Sequence, residues 1–252
     1  MTMTGSIFTH IDHYIATITF SHPKSNSFPS DLLQKLVDTF NRLSSDDNVR
    51  IIILQSEGTK AFCAGASFDE LLEVNDAESG KQFFSGFANL INSMRKCSKL
   101  IIGRIHGKAV GGGVGIAAAC DYSFATEASD IKLSELSIGI GPFVIAPALE
   151  RKIGIAAVGE LSLDAKSWRT AYWAEKKGLF NTVFENTRDL DRGIDILSHQ
   201  LSQYNPEALI DMKKMFWEGT EHWDELLIKR AEITGKLVLS DFTKEALSKF
   251  KS

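Results

Sequence analysis

The stretch KLIIGRIHGKAVGGGVGIAAAC, residues 99–120, joins a predicted strand, a glycine triplet and an apolar helix. Leu100–Ile105 predicts a strand covered on both faces, because its apolar residues do not alternate with polar ones. The triplet Gly111–Gly113 then opens a helix that runs to about Ala119. Glycines leave the first N–H groups of a helix uncovered, and those groups lack partners within the helix. The stretch therefore predicts a site for a phosphate or an oxyanion, with close helix–strand packing as the alternative.

A second loop of small residues, Gly58–Ala66, follows another predicted strand, Arg50–Leu54. Small side chains allow the backbone of such a loop to approach a ligand closely. Because both loops follow buried strands, we expect one N–H group from each to converge on a single oxygen atom.

A third feature is Glu135, which lies among apolar residues just before Gly139–Phe143. A carboxylate in apolar surroundings has a raised pKa, which suits a general acid or base. A surface glutamate at the end of a strand is the alternative.

Strand patterns alternate with helix patterns over the first 140 residues, which predicts an α/β core. The predicted strands are Tyr14–Phe20, Arg50–Leu54, Leu100–Ile105, Tyr122–Ala125 and Ile131–Leu133. The predicted helices in this part are Asp31–Leu43, Ala77–Cys97 and the one that the glycine triplet opens. From Pro147 onward the pattern is helical almost throughout and ends in the long segment Glu221–Phe250.

The chain has no Pro/Ser-rich linker between its two parts. We therefore expect residues 1–190 to form the core and residues 191–252 to form a helical extension of the same domain. The extension should pack on the core or on a neighbouring subunit, because its helices are amphipathic.

Composition excludes several classes of protein. The chain has 252 residues and a net charge of −4, whereas nucleic-acid binders usually carry a basic excess. Its three cysteines show no metal-ligand spacing, which favours a reduced cytoplasmic setting without a metal site. The longest apolar run, near Val114–Cys120, is far shorter than a membrane span, and residues 1–10 do not read as a secretory signal.

In this order and at these separations, the motifs resemble the crotonase superfamily, also called the enoyl-CoA hydratase/isomerase family. The resemblance covers the chain from about Ile7 to Phe250. The segments that carry it are KAFCAGA at 60–66, HGKAVGGGVG at 106–115, Ala119–Asp121, Ser134–Glu135 and Gly139–Pro142.

The resemblance implies an α/β fold, a spiral of stacked ββα turns whose C-terminal helices pack in a homotrimer or a hexamer of paired trimers. It implies a coenzyme A thioester as substrate, with no separate cofactor and with neither nucleic acid nor membrane as a partner. Ala66 and Gly112 would hold the thioester oxygen through their backbone N–H groups. The other substrate contacts that it implies are Ala64 near the adenine, Lys24 and Lys213 on phosphates, and Phe68 and Gly111.

The sequence departs from the family pattern at two positions. Hydratases of the family usually carry two glutamates, but the first position here is Gly115, so only Glu135 remains. Ser67 replaces the aspartate of the AGAD pattern. A single glutamate resembles the isomerases that move a double bond by shuttling a proton, and Phe143 would then lie near the acyl chain.

Other interpretations stay open. Glu135 with a bound water could hydrate the substrate, or the chain could bind acyl-CoA without turnover. Asp69, Glu70 or Glu73 could supply a second acid, although a solvated helix face explains them better. His106 suits a packing role at a strand end. A dinucleotide fingerprint is disfavoured because Ile116 occupies its third glycine position.

Overall fold

The computed structural model describes residues 5–249, which form two β-sheets surrounded by helices. The strands are β1 Ser6–Asp12, β2 Ile15–Ser21, β3 Ile51–Ser56, β4 Ala61–Cys63, β5 Leu100–Ile105, β6 Lys108–Val110, β7 Tyr122–Thr126, β8 Ile131–Lys132 and β9 Thr182–Phe184. The first five helices are α1 Ser30–Ser44, α2 Phe68–Glu73, α3 Ala77–Lys96, α4 Gly112–Ala119 and α5 Ala146–Leu163. The others are α6 Ala171–Lys177, α7 Thr187–Ser202, α8 Pro206–Phe216, α9 Trp223–Leu237 and α10 Asp241–Ser248, with a short 3₁₀ helix at Glu135–Ile138.

Three successive turns of chain repeat one ββα pattern. The first strand of each turn, β3, β5 or β7, joins the larger sheet of order β1-β2-β3-β5-β7-β9. The second strand, β4, β6 or β8, joins the smaller sheet of order β4-β6-β8. The turns stack in parallel, and only the β1–β2 hairpin is antiparallel among the named strand pairs of residues 5–249. This is the predicted α/β spiral of ββα turns, with helices in the C-terminal part.

Short and partly exposed strands account for most differences from the sequence prediction. The strands β4, β6 and β9 have only three residues each, too few to show a period. The strand β1 lies at the edge of the larger sheet and is mostly exposed, so it carries little apolar signal. Leu100–Ile105 forms the strand that the sequence predicts.

The predicted long segment Glu221–Phe250 is two helices, α9 and α10, and Phe250 lies outside the described residues. The break falls at Ser240, whose hydroxyl accepts a hydrogen bond from the N–H of Thr243 and so caps α10. A serine in this position starts a new helix because its side chain satisfies an otherwise free N–H.

The helix α9 packs on α3 of the core at a glycine contact. A Cβ at Gly235 would lie 2.6 Å from the backbone carbon of Gly80, so only glycine allows the two backbones to come this close. Arg95 and Asp224 form an ion pair of 2.7 Å between the same helices. No helix within residues 5–249 is long and apolar enough to cross a membrane.

We predict that Gly235→Ala lowers the free energy of unfolding by about 1–3 kcal/mol, because its Cβ would meet the α3 backbone. Chemical denaturation would measure the change. Gly159→Ala in α5 is the matched control, since its Cβ would meet nothing within 4 Å. That control should be neutral or stabilising by up to about 1 kcal/mol. Equal effects of the two substitutions would contradict the glycine contact.

Candidate active site

Two loops bring unused backbone N–H groups together at one end of the small sheet. Phe28 forms both hydrogen bonds of a parallel bridge with the first loop. Its N–H donates to the carbonyl of Gly65 (2.8 Å), and its carbonyl accepts from the N–H of Ser67 (2.9 Å). The N–H of Ala66 between them therefore points away from Phe28. A Cβ at Gly65 would lie 3.5 Å from the nitrogen of Gly112, so this loop touches the start of α4.

The start of α4 supplies the second N–H group. Gly112 is its first helical residue, and N–H groups in this position have no partner within a helix. Gly111 before it has φ +53, a conformation that favours glycine. Since a Cβ at Gly112 would lie 2.2 Å from Phe87, the glycine triplet also permits close packing. Anion binding and packing are therefore compatible uses of the same residues.

The carboxylate of Glu135 lies directly beside this glycine turn. A Cβ at Gly111 would lie 2.8 Å from Oε1 of Glu135, so a larger residue would collide with it. The 3₁₀ helix Glu135–Ile138 holds the side chain in place, and Ile140 donates its N–H to the carbonyl of Glu135 (3.1 Å). This helix ends at Gly139 with φ +88.

Burial changes the acidity of this group. The residue as a whole is only partly buried, but its Oε2 atom is fully buried and has no hydrogen-bond partner among the described residues. The loss of water around the carboxylate raises the pKa of Glu135 from 4.5 to about 7. A carboxylate tuned in this way can both accept and return a proton near neutral pH.

The N–H groups and Glu135 face a single cavity of about 160 Å³. The polar side chains in its wall are few, namely those of Ser134, Glu135 and Thr234. The hydroxyl of Thr234 already donates to the carbonyl of Arg230 (3.0 Å). The rest is small or apolar, and its large members are Phe68, Leu71, Phe83, Phe84, Phe87, Val110, Ile138, Ile140, Pro142, Val144 and Ile145. Such a cavity fits an apolar group held at one polar end.

Six of the predicted site residues line this cavity: Ala64, Ala66, Phe68, Gly111, Gly112 and Glu135. Phe143 is not among the residues that line the cavity. Its ring packs at Gly141, where a Cβ would lie 2.6 Å from it, and Gly141 and the neighbours Pro142 and Val144 line the cavity. Its contact with the acyl chain therefore stays a prediction.

The two lysines differ in their surroundings. Lys24 is exposed at its loop and forms an ion pair with Asp69 in α2, so its phosphate contact stays a prediction. The prediction for Lys213 is wrong. This residue is 2% exposed, and its Nζ lies 2.6 Å from Oδ2 of Asp121. The other oxygen of Asp121, Oδ1, accepts from the indole N–H of Trp217 (2.8 Å). A lysine used in a buried ion pair cannot reach a phosphate in solvent.

The Lys24 loop is fixed to the cavity loop by the backbone. Ser25 and Asn26 both have positive φ values, 52 and 56, and the carbonyl of Ser25 accepts from the N–H of Ala64 (3.1 Å). The amide of Asn26 donates to the carbonyls of Glu57 (2.8 Å) and Ala61 (2.9 Å). These bonds hold two loops from different turns of the spiral in one arrangement.

The other acids considered above are committed elsewhere. The carboxylate of Glu70 accepts from the hydroxyl (2.6 Å) and the N–H (2.9 Å) of Ser30, and Glu73 is exposed. Ser67, which replaces the family's aspartate, caps α2 by accepting from the N–H of Glu70. His106 is 2% exposed and lies outside the cavity wall, as a packing role requires. Its burial, with a smaller effect of Arg104, lowers its pKa to about 4.

Sequence reasoning missed the aromatic wall of the cavity. Phe83, Phe84 and Phe87 lie on α3, and Val144 and Ile145 lie just before α5. The α3 phenylalanines recur at helical spacing, so an apolar helix face was visible in the sequence. Which cavity that face lines depends on contacts far apart along the chain.

Comparison with known proteins finds relatives over nearly the whole chain. The family model described as enoyl-CoA hydratase/isomerase matches residues 10–251. A short-chain-enoyl-CoA hydratase from Clostridium acetobutylicum is 28% identical over 239 residues, which cover 94% of this chain and 90% of the relative. A peroxisomal Δ(3,5)-Δ(2,4)-dienoyl-CoA isomerase from Arabidopsis thaliana is 24% identical, over 88% of this chain and 84% of that protein.

A solved structure shares the whole fold. The crystal structure of an enoyl-CoA hydratase from Bacillus halodurans superposes with a TM-score of 0.90 at 22% identity, covering 96% of this chain and 99% of the other. The family model matches nearly the whole chain, and residues of its motifs face one cavity. The chain belongs to the enoyl-CoA hydratase/isomerase family, the crotonase superfamily, and is an enzyme of that hydratase/isomerase type.

Proposed function

We propose that this enzyme moves a double bond within the acyl group of a coenzyme A thioester, with Glu135 as its single acid and base. One observation carries the proposal: among the described residues, Glu135 is the only carboxylate in the wall of an otherwise apolar cavity. A proton shuttle needs one such group. Addition of water is served better by two, one for the water and one for the α-carbon.

In the proposed mechanism, Glu135 removes a proton from C2 of a 3-enoyl thioester. The electron pair moves toward the carbonyl, and the N–H groups of Ala66 and Gly112 donate to the resulting enolate oxygen. Glu135 then returns the proton to C4, which leaves the double bond between C2 and C3. Each N–H donor of this kind stabilises a transition state by roughly 3–4 kcal/mol.

Two other functions remain candidates. Hydration by Glu135 and a bound water is supported by the enoyl-CoA hydratase name of the Clostridium acetobutylicum relative. Binding of acyl-CoA without turnover is supported by Gly115, which stands where hydratases of the family usually carry an acid. The raised pKa of Glu135 favours a catalytic role over binding alone, because burying a carboxylate at the expense of its water destabilises the charged form and is kept only where it serves a purpose.

The proposal extends to the substrate's coenzyme A part. Lys24 would exchange its ion pair with Asp69 for a contact with a phosphate, since its loop is hydrogen-bonded to Ala64. The exposed backbone near Ala64 would contact the adenine. Coenzyme A would enter as part of the substrate, and proton transfer by Glu135 needs no separate cofactor.

We also propose a homotrimer or a hexamer of paired trimers in the cytoplasm. Large apolar side chains on several helices are more than half exposed, which suits burial against other subunits: Ile155, Leu163, Tyr172, Met215 and Phe242. Cys63, Cys97 and Cys120 are free thiols, as proteins of a reducing compartment usually have.

We predict that Glu135→Gln lowers kcat for isomerisation by at least about 100-fold, because the amide cannot accept the proton. Mass spectrometry of 2-enoyl- and 3-enoyl-CoA thioesters in D₂O would measure deuterium uptake by isomerisation and the mass gain of hydration. Glu73→Gln is the matched control and should retain activity, since Glu73 is exposed and lies outside the cavity wall. Full turnover by Glu135→Gln would refute the proposal, and hydration as the main wild-type reaction would favour the second candidate.

We predict that kcat/KM of the wild-type enzyme rises with pH and levels off above a midpoint near 7. The reason is that Glu135 must be deprotonated to act as a base, and burial raises its pKa to about 7. Initial rates between pH 5 and 9 would test this. A midpoint near the ordinary glutamate value of 4.5 would show that the carboxylate is solvated in the free enzyme.

We predict that Glu135 makes the fold less stable as pH rises. The folded protein binds this proton more tightly than the unfolded chain, so the free energy of unfolding falls between about pH 4.5 and 7. The total loss from this group is at most about 3 kcal/mol. Chemical denaturation at pH 5 and pH 8 should therefore show that Glu135→Gln gains stability relative to wild type at the higher pH. A pH-independent difference would contradict the buried carboxylate.

A further inference from the structure

The space beside Gly115 is filled by Ile145. A Cβ at Gly115 would lie 2.4 Å from Cγ2 and 2.6 Å from Cβ of Ile145, closer than real side chains come. Ile145 is 4% exposed and branches at Cβ, so its side chain has little freedom to move aside. A side chain at position 115 therefore needs the place that Ile145 occupies.

The backbone of Ile145 is fixed as well. Ile145 caps the start of α5, and its carbonyl accepts from the N–H of Leu149 (3.2 Å). The next residue, Ala146, donates its N–H to the carbonyl of Pro142 (2.9 Å). Because these bonds hold the chain on both sides, Ile145 cannot move away from Gly115 without breaking the start of the helix.

This crowded place adjoins the catalytic carboxylate. Gly111 and Gly115 are neighbours across the first turn of α4, where the N–H of Gly115 donates to the carbonyl of Gly111 (3.2 Å). The side chain of Glu135 already fills the Cβ position of Gly111, and Ile145 lines the same cavity as Glu135. Ile145 therefore occupies the place that a side chain at position 115 would need, in the wall of the cavity that Glu135 also lines.

We infer that Ile145 is a specificity-determining residue that selects the reaction outcome. By filling the space at Gly115, it leaves no room there for a second carboxylate or for a water molecule that such a carboxylate would hold. Hydration adds a hydroxyl group from water to C3 and a proton to C2. The double bond between C2 and C3 forms when Glu135 moves a proton from C2 to C4. Without water held beside C3, this 2-enoyl thioester leaves as the product instead of being hydrated. This inference rests on the proposed function.

The occupied space can be tested by melting temperature, without any assay of activity. Gly115→Ala adds only a Cβ, and Ile145→Gly removes its neighbour while leaving a residue that helix starts accept. If the two substitutions acted independently, the double variant would lose the sum of the two single losses in melting temperature. We expect it to melt at least about 4 °C above that additive value. Ile140→Gly, the same change elsewhere in the cavity wall, should combine with Gly115→Ala additively. Additive losses for the Gly115–Ile145 pair would overturn the steric part of the inference.

The reaction outcome is tested by the ratio of hydrated to isomerised product from 3-hexenoyl-CoA and 2-hexenoyl-CoA. We expect Ile145→Gly to raise this ratio at least about tenfold over wild type, and Gly115→Glu with Ile145→Gly to raise it further. Gly115→Gln with Ile145→Gly is the matched control and should stay at the level of Ile145→Gly alone. Ile153→Gly, in α5 and outside the cavity wall, should keep the wild-type ratio.

Each result decides one claim. A folded Ile145→Gly variant with the wild-type ratio overturns the inference, and Ile145→Ala gives the same measurement with a smaller opening if the glycine variant does not fold. Hydration as the main reaction of the wild type overturns the proposed function instead. The two failures are distinct, because one is measured on the variants and the other on the unaltered enzyme.

Discussion

One buried carboxylate oxygen lacks a hydrogen-bond partner and lies against a glycine turn, and the arrangement of the site follows from that constraint. The Oε2 atom of Glu135 is cut off from solvent, which is energetically costly for a charged group. The fold tolerates this free-energy cost because the surrounding backbone is fixed. Gly111 leaves room for the carboxylate, and the 3₁₀ helix that begins at Glu135 fixes the position of this residue. A group kept in this state releases and accepts protons near neutral pH, which ordinary surface glutamates do not.

The stacked turns of the spiral explain why these parts meet. Each turn contributes one strand to each sheet, and the strands of the small sheet run parallel. The segments that follow parallel strands therefore emerge at one edge. Ala66 follows β4, Gly112 follows β6 and Glu135 follows β8, so residues from three separate turns face one cavity.

Local signals made much of the fold and the site predictable from sequence. The residues Ala66, Gly112 and Glu135 belong to short motifs whose chemistry depends on neighbours along the chain, and the structure places them around one cavity. Structure and sequence prediction differ where distant segments meet. Nothing near Lys213 in the sequence indicates Asp121, its buried partner 92 residues away, so a phosphate contact is expected there instead. The sequence does not predict β4 and β6, because pairing between turns, rather than a periodic pattern, stabilises these strands.

The glycine contact between α3 and α9 has a consequence for the size of the cavity. Thr234, next to Gly235, lines the cavity from α9, and the phenylalanines of α3 line it from the opposite helix. The side chains at a crossing point set the distance between two helix axes. The width available to an acyl group is therefore set in part by Gly80 and Gly235, the two glycines at the contact between α3 and α9. Evolution of this enzyme toward bulkier substrates could proceed by enlarging a residue at the helix crossing, with every residue that touches the substrate left unchanged.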